Sequence, residues 1–187
     1  MKRYVLLFLF LNGICASIFS QELGDIKKGT GERINFNRIS IVIPVGWNYS
    51  VNPRARTGTD QLQLFSDDNL RTIQITLTKA RSDISLSDAL TMGGRIMVQK
   101  ALSFPGFENC IVNGSGQDGE MWGRKGICIK YNLYKNENQN NEDIMMRIYN
   151  YVENIDASQE VLLIGLFIIG EEKEDTGNII KTLEIRE

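Results

Sequence analysis

The chain contains no histidine. That excludes the Ser-His-Asp and Cys-His arrangements, the commonest general base, and the usual zinc and copper ligand. Cysteine is almost as scarce, with three in 187 residues (Cys15, Cys110 and Cys128). No basic stripe is present either: Lys and Arg are scattered, and phosphate recognition needs clustered cations, so nucleic acid is not an expected partner. Apart from the first residues, the longest apolar run is nine residues, Val161–Ile169. A bilayer span needs about 20, so no transmembrane segment is expected in the rest of the chain. Carboxylate-only chemistry, Ser-Lys chemistry and hard-metal binding survive these absences.

The N-terminus reads as an export signal over residues 1–20. Lys2 and Arg3 form a basic head, Tyr4–Leu11 is an unbroken apolar stretch, and small residues follow at Ala16, Ser17 and Ser20. Cleavage after Ser20 starts the mature chain at Gln21 in a polar stretch, and the location implied is periplasmic or secreted. Lipid attachment at Cys15 is the lesser alternative, because Ile14 stands where such sites have a small residue. Residues 21–33 are expected to be a flexible segment. Residues 34–187 then form a single domain, large enough for a core without staples. Without Lys2 and Arg3, 19 basic side chains face 23 acidic ones.

Alternation sets the elements. In "ISIVIPVGW" (Ile39–Trp47), Ile39, Ile41 and Ile43 recur at period two; Pro44 ends that strand and Gly46 permits a turn. Gln61–Phe65 and Thr72–Thr78 read as strands, the second with Ile73, Ile75 and Leu77 on one face. Ser85 followed by Asp88 predicts a helix start, and Leu86, Ala89, Leu90, Gly93, Ile96, Met97 and Ala101 predict its apolar face. Pro105-Gly106 closes it. An antiparallel meander follows, with strands near Phe107–Asn113, Gly123–Tyr134 and Ile144–Val152, and a polar tip at Lys135–Asp143. Val161–Ile169, apolar on both faces, predicts a central strand covered on both sides. A short helix carrying Ile179, Ile180 and Leu183 ends the chain.

The segment "GSGQDG", Gly114–Gly119, spells the dinucleotide fingerprint G-x-G-x-x-G. The fingerprint requires a helix opening on its last glycine, whereas "EMWGRKGICIKYNLY" continues in β-alternation. The segment is therefore read as a glycine-rich hairpin turn, and no cofactor is expected. With the turn centred near Gly119, Cys110 and Cys128 lie opposite one another; in an oxidising compartment a disulfide between them is expected, although a one-residue shift of register would forbid it.

Asp67-Asp68 and Glu171–Asp175 lack the spaced oxygen pattern of a calcium loop and read as solvated turns, so no metal site is assigned. Asn48-Tyr49-Ser50 and Asn113-Gly114-Ser115 match the glycosylation sequon. The stripe Arg147, Tyr149 and Tyr151, beside Lys130 and Tyr134 on the neighbouring strand, suits either a partner surface or the cover beneath a loop or helix.

"ISIVIPVGW", "SDALTMGGRIMVQKAL" and "VLLIGLFIIG" together resemble the PsbP-like and DcrB-like group of exported domains. The resemblance implies an α+β fold: an antiparallel sheet of six or seven strands with helices packed against it. Members of that group have varied accessory and binding roles and share no catalytic motif. The expectation is an exported, non-catalytic binding or accessory protein acting through a protein or envelope partner. The alternative is a small-ligand or hard-cation binder, or a carboxylate-dependent hydrolase using Asp67 and Asp68.

Overall fold

A computed structural model describes residues 25–51, 59–79, 85–135, 143–155 and 160–186. The segment expected to be an export signal, Cys15, residues 52–58 and most of the expected polar tip (136–142) lie outside the described residues. In chain order the elements are β1 (Lys27–Lys28), β2 (Arg33–Phe36), β3 (Ile39–Val42), β4 (Trp47–Val51), β5 (Asp60–Ser66), β6 (Arg71–Lys79), α1 (Leu86–Leu102), β7 (Ile111–Met121), β8 (Arg124–Tyr134), β9 (Ile144–Ile155), β10 (Glu160–Ile169), α2 (Glu174–Lys181) and β11 (Glu184–Ile185). The fold is α+β, as expected. The sheet is larger than expected, with eight strands in the order β1-β4-β5-β6-β10-β9-β8-β7, and a second sheet of three runs β11-β3-β2. Strand β1 pairs with β4 inside the segment expected to be flexible.

Two antiparallel meanders, β4–β6 and β7–β10, join where β10 pairs with β6. Strand β10 is thereby central, which explains why Val161, Leu162, Ile164, Leu166, Phe167 and Ile168 are all buried. The isoleucine alternation of β3 does not join this sheet. Ile39, Ile41 and Ile43 pack face-on into the core with Leu162, Ile164 and Leu166, and α2 adds Ile179 and Ile180. Ile73, Ile75 and Leu77 of β6 are fully buried in the same cluster.

The other face carries α1, packed on β8 and β9. Ser85 caps it by accepting from the Asp88 amide at 3.1 Å. Its buried residues are Leu90, Gly94 and Ala101. Ile96, expected on the apolar face, is exposed. The glycine pair lets the helix close on the sheet: a Cβ at Gly94 would stand 2.4 Å from the Tyr131 hydroxyl, and one at Gly93 2.9 Å from Asn150 Nδ2. No described helix is long and apolar enough to cross a membrane.

The glycine-rich turn and the disulfide both require correction. Gly114, Gly116 and Gly119 lie within β7, paired with Tyr131, Ile129 and Gly126. The turn is Trp122-Gly123, with φ of 56° and 77°, closed by Met121 opposite Arg124. Two successive positive φ values match the twist of a two-residue hairpin, and here a tryptophan accepts one of them. Moving the turn three residues downstream slides the register. Cys128 now faces Gln117, while Ile111, next to Cys110, faces Tyr134. Cys110 thus lies seven positions from Gln117, about 23 Å at ~3.3 Å per residue, against a disulfide's Cα reach of about 7 Å. Both thiols are free.

Candidate functional site

The stripe expected as a partner surface is brought together by pairing: Lys130 faces Tyr149 and Cys128 faces Tyr151 across β8 and β9. The face they share looks toward the second sheet and α2, and it is covered. Tyr149 is 3% exposed and Tyr151 0%, both within the main core. Trp122, swung inward by its positive φ, covers them, with ring centroids 5.9 Å from Tyr149 and 5.8 Å from Tyr151. Gly177 of α2 leaves room for that indole, since a Cβ there would stand 3.3 Å from Trp122 Cδ1. The stripe is therefore core rather than an open docking surface, because the loop after β10 and α2 fold back over it.

Each polar group of the stripe is used internally. The Tyr149 hydroxyl donates to Glu172, 2.9 Å from both carboxylate oxygens. Lys130 Nζ lies 4.9 Å from the centre of the Tyr149 ring and 3.7 Å from Glu172. Arg147 donates to the Gly170 carbonyl. Tyr134 is buried farther along β8 and accepts from Asn132 at 3.2 Å. Burial, reinforced by Glu172, raises the Tyr149 hydroxyl well above its ordinary range, and burial with Glu153 does the same for Tyr151. Both stay protonated donors, unsuited to act as bases near neutral pH. Burial alone pushes the Cys128 thiol up to about 12.

Three arginine nodes join the layers at the margins. Arg38, in the β2–β3 turn, bridges Asp60 at 3.0 Å and Glu160, and Asn37 donates to Asp60 at 2.9 Å. Asp60 and Glu160 are 7% and 5% exposed, so a single guanidinium holds two buried carboxylates. The bond to Glu160 leads the causes that raise the Arg38 pKa. Arg124 grips Glu153 through two nitrogens, at 2.6 and 3.2 Å, and donates to the Leu183 carbonyl at 3.0 Å. Arg71, 7% exposed and 5.2 Å above the Trp47 ring, pairs with Asp68 at 3.2 Å and with Asp175.

The Arg71 node holds two of the acids considered for hydrolysis or cation binding, Asp68 and Asp175. Asp68 also receives the Ser66 hydroxyl, the Leu70 amide and Lys173 at 3.8 Å, and Asp67 accepts from Asn48 at 2.6 Å. Burial raises the Asp68 carboxyl, but these donors and cations outweigh it and hold it below the ordinary value. Asp175 is lowered in the same way, with burial outweighed by Arg71. Among the described residues, no three His, Cys, Asp or Glu side chains are grouped to hold a metal ion. Sequence reasoning missed Trp122, Glu172 and the arginine nodes. Arg38 and Glu160 are 122 residues apart, and nothing local marks them as partners. The Trp-Gly pair at the start of a strand was the one legible signal.

No protein-family profile matches the chain, and no curated protein matches it. Two solved structures are similar in backbone. One is the solution structure of cyanobacterial PsbP (CyanoP) from Synechocystis sp. PCC 6803, at 13% identity and a TM-score of 0.49, covering 82% of this chain and 91% of that one. Another is the Saccharomyces cerevisiae Ran-binding protein Mog1p, at 8% identity and a TM-score of 0.44, covering 84% and 96%. The first bears the name of the group that the sequence resembles. Neither likeness carries a partner or an activity to this chain.

Proposed function

We propose that this chain is an exported, non-catalytic binding or accessory protein that acts through a protein or envelope partner. One observation carries the reading: five carboxylates, Asp68 of the pair weighed for hydrolysis among them, are committed as struts. Asp60, Glu160, Asp68, Asp175 and Glu153 each pair with an arginine that joins one layer or loop to another. A hydrolytic or cation-binding carboxylate must be free to meet a substrate or metal, and stripping these of their arginines would leave charges buried or half-buried. The export signal expected at residues 1–20 supports the location, and the reading assigns 34–187 to one domain.

The test is fractionation of the tagged chain, expressed with its own leader in its host, followed by crosslinking in intact cells. Recovery from the exported fraction, in a defined complex with one protein, is the expected result. Retention in the cytosol with the leader uncleaved would overturn it. So would turnover of an ester or phosphoester that disappears in Asp68→Asn.

A further inference from the structure

The large sheet ends in two unlike edges. One is β1, two residues long and both lysine, a short charged edge of the kind that resists further pairing. The other is β7, eleven residues long, paired on one side only, with β8. It holds no lysine, arginine or proline, and residues 113–116 are exposed. No described strand pairs with its outer side. Its charged residues, Asp118 and Glu120, fall in its last four positions; a strand of this length, uncharged from Ile111 to Gln117, is a template for another strand.

Side chains narrow what could sit there. On the α1 side of the sheet, β7 presents Gly114 opposite Tyr131 and Gly116 opposite Ile129. At Gly114 the missing side chain is replaced by the Tyr131 ring, 3.0 Å from where a Cβ would lie. At Gly116 the same position is empty, with no atom within 4 Å. Beneath it Ile129 and Ile127, both half-buried, continue the apolar cluster that runs under α1 through Leu86, Leu90 and Val152. The result is an apolar shelf with one vacant place, and a large ring on an adjoining strand fills such a place over a strand glycine. A second copy of β7 does not supply that ring: its residues of the same parity are Val112, Gly114, Gly116 and Asp118.

We propose that the outer edge of β7 is a docking site for an extended segment of another protein. The segment adds as a ninth strand and lays an aromatic side chain over Gly116 onto Ile129. This deepens the reading of the chain as a binding protein, and its partner identity rests on that reading.

The probe is a capped octapeptide of alternating Thr and Val, with Trp at its fourth residue. Binding is followed by tryptophan fluorescence and by amide exchange. The expected result is saturable binding that protects β7 amides and leaves β1 unchanged. Methylating alternate peptide nitrogens, or replacing the Trp by Thr, weakens it at least about tenfold, since either removes a main-chain or ring contact. Gly116→Val fills the vacant place with a strand-favouring residue; it keeps or raises the melting temperature and also weakens binding about tenfold. Equal binding of the methylated peptide, or protection elsewhere than β7, overturns the proposal. A dimer of the chain that Gly116→Val dissociates overturns it too, by assigning β7 to its own copy. If the complex crosslinked in cells persists in Gly116→Val while the peptide fails, the edge assignment falls and the accessory reading stands. If the peptide binds as expected but cells yield no partner, the accessory reading falls and the edge remains a strand acceptor.

Discussion

The two faces of the eight-stranded sheet are built from the same strands and differ in what lies over them. One face is closed along most of its width by the second sheet and α2, and among the described residues face and cover together form one cluster of nineteen buried residues. Among the described residues the other is closed by α1 above β8 to β10; across β5 and β6 it carries Gln61, Phe65, Gln74, Thr76 and Thr78, all half-buried, with Gln63 and Thr72 buried between them. Strand β10 sits under both covers and is apolar on both sides, whereas β6 sits under one and alternates. Side-chain alternation thus records how many layers cover a strand. It does not record which element supplies the cover, and that is why the tyrosine stripe was open to two readings.

The largest test of this contrast is truncation on the closed face. Tyr149→Ala removes a ring packed on Trp122 and leaves Glu172 without its phenol, so it is expected to cost about 3–5 kcal/mol, as large aromatic truncations in cores do. Thr76→Ala on the polar half should change stability by no more than about 0.5 kcal/mol. Urea unfolding of both variants checks the pair. Similar losses would mean that the closed face is not the tighter one. Arg147→Ala with Tyr149→Ala, the pair that would have tested a partner surface, should unfold early.

A second contrast lies between two glycines of the β7–β8 hairpin. A Cβ at Gly126 would stand 2.5 Å from both the Tyr151 hydroxyl and the Val152 carbonyl oxygen, a backbone atom that cannot step aside. Gly126→Ala is expected to cost about 1–3 kcal/mol as overpacking. Gly116→Ala, facing open space, should be neutral or stabilising by a few tenths to about 1 kcal/mol. Thermal melts of the two variants side by side decide the point; a neutral Gly126→Ala would mean that β8 and β9 pack more loosely than described.

The titrating groups separate core from margin by pH. Asp68 and Asp175 have folded pKa values lowered below 3.8, so their contribution is present above that value and is lost as pH falls through the folded one. Both are over a third exposed, and screening keeps the effect small. Asp175→Asn should flatten the acid limb of the stability profile. Cys128 runs the other way. Its thiol is raised from 9.0 to about 12, so the stabilisation is full below pH 9.0 and is lost as pH rises toward 12. Near pH ~8, a thiol reagent on the folded chain should label half-buried Cys110 first and reach Cys128 only on unfolding. Failure of both thiols to react even in denaturant would restore the disulfide.

Much of this was legible because it was local. The Ser85 cap, the double burial of Val161–Ile169 and the Ile179-Ile180-Leu183 face all follow from residues within one turn or strand of each other. The assignment of β3 to a second sheet was not legible, because its isoleucine alternation is compatible with either sheet and only its pairing with β2 and β11 decides. The hairpin centre failed for a different reason. Glycines at Gly114, Gly116 and Gly119 outnumber the single Gly123, yet the turn used Trp122, a residue that rarely adopts positive φ. Of the site, the sequence brought Tyr149, Tyr151 and Lys130 together correctly but said nothing of Trp122 and Glu172, which reach them from other elements.

The smallest expected effect concerns α1, the thin cover of the open face. Apolar spacing of three and four residues assigned Ile96 to the buried side with Met97, yet Ile96 is 51% exposed and Met92, one turn earlier, 56%. The helix is turned so that Leu90, Gly94 and Ala101 face inward, because the close approach belongs to Gly94 against Tyr131. Ile96→Gln therefore loses little burial and gains a good helix former, and its stability should stay within about 0.5 kcal/mol of the parent. Leu90→Ala, 5% exposed and packed with Val152 and Val161, should cost about 2–5 kcal/mol on the same helix. Equilibrium unfolding of the two variants reads the rotation of α1 directly. If Ile96→Gln proves the costlier, the helix is turned the way its spacing alone suggested, and the cover over β8 and β9 is drawn from the wrong side of it.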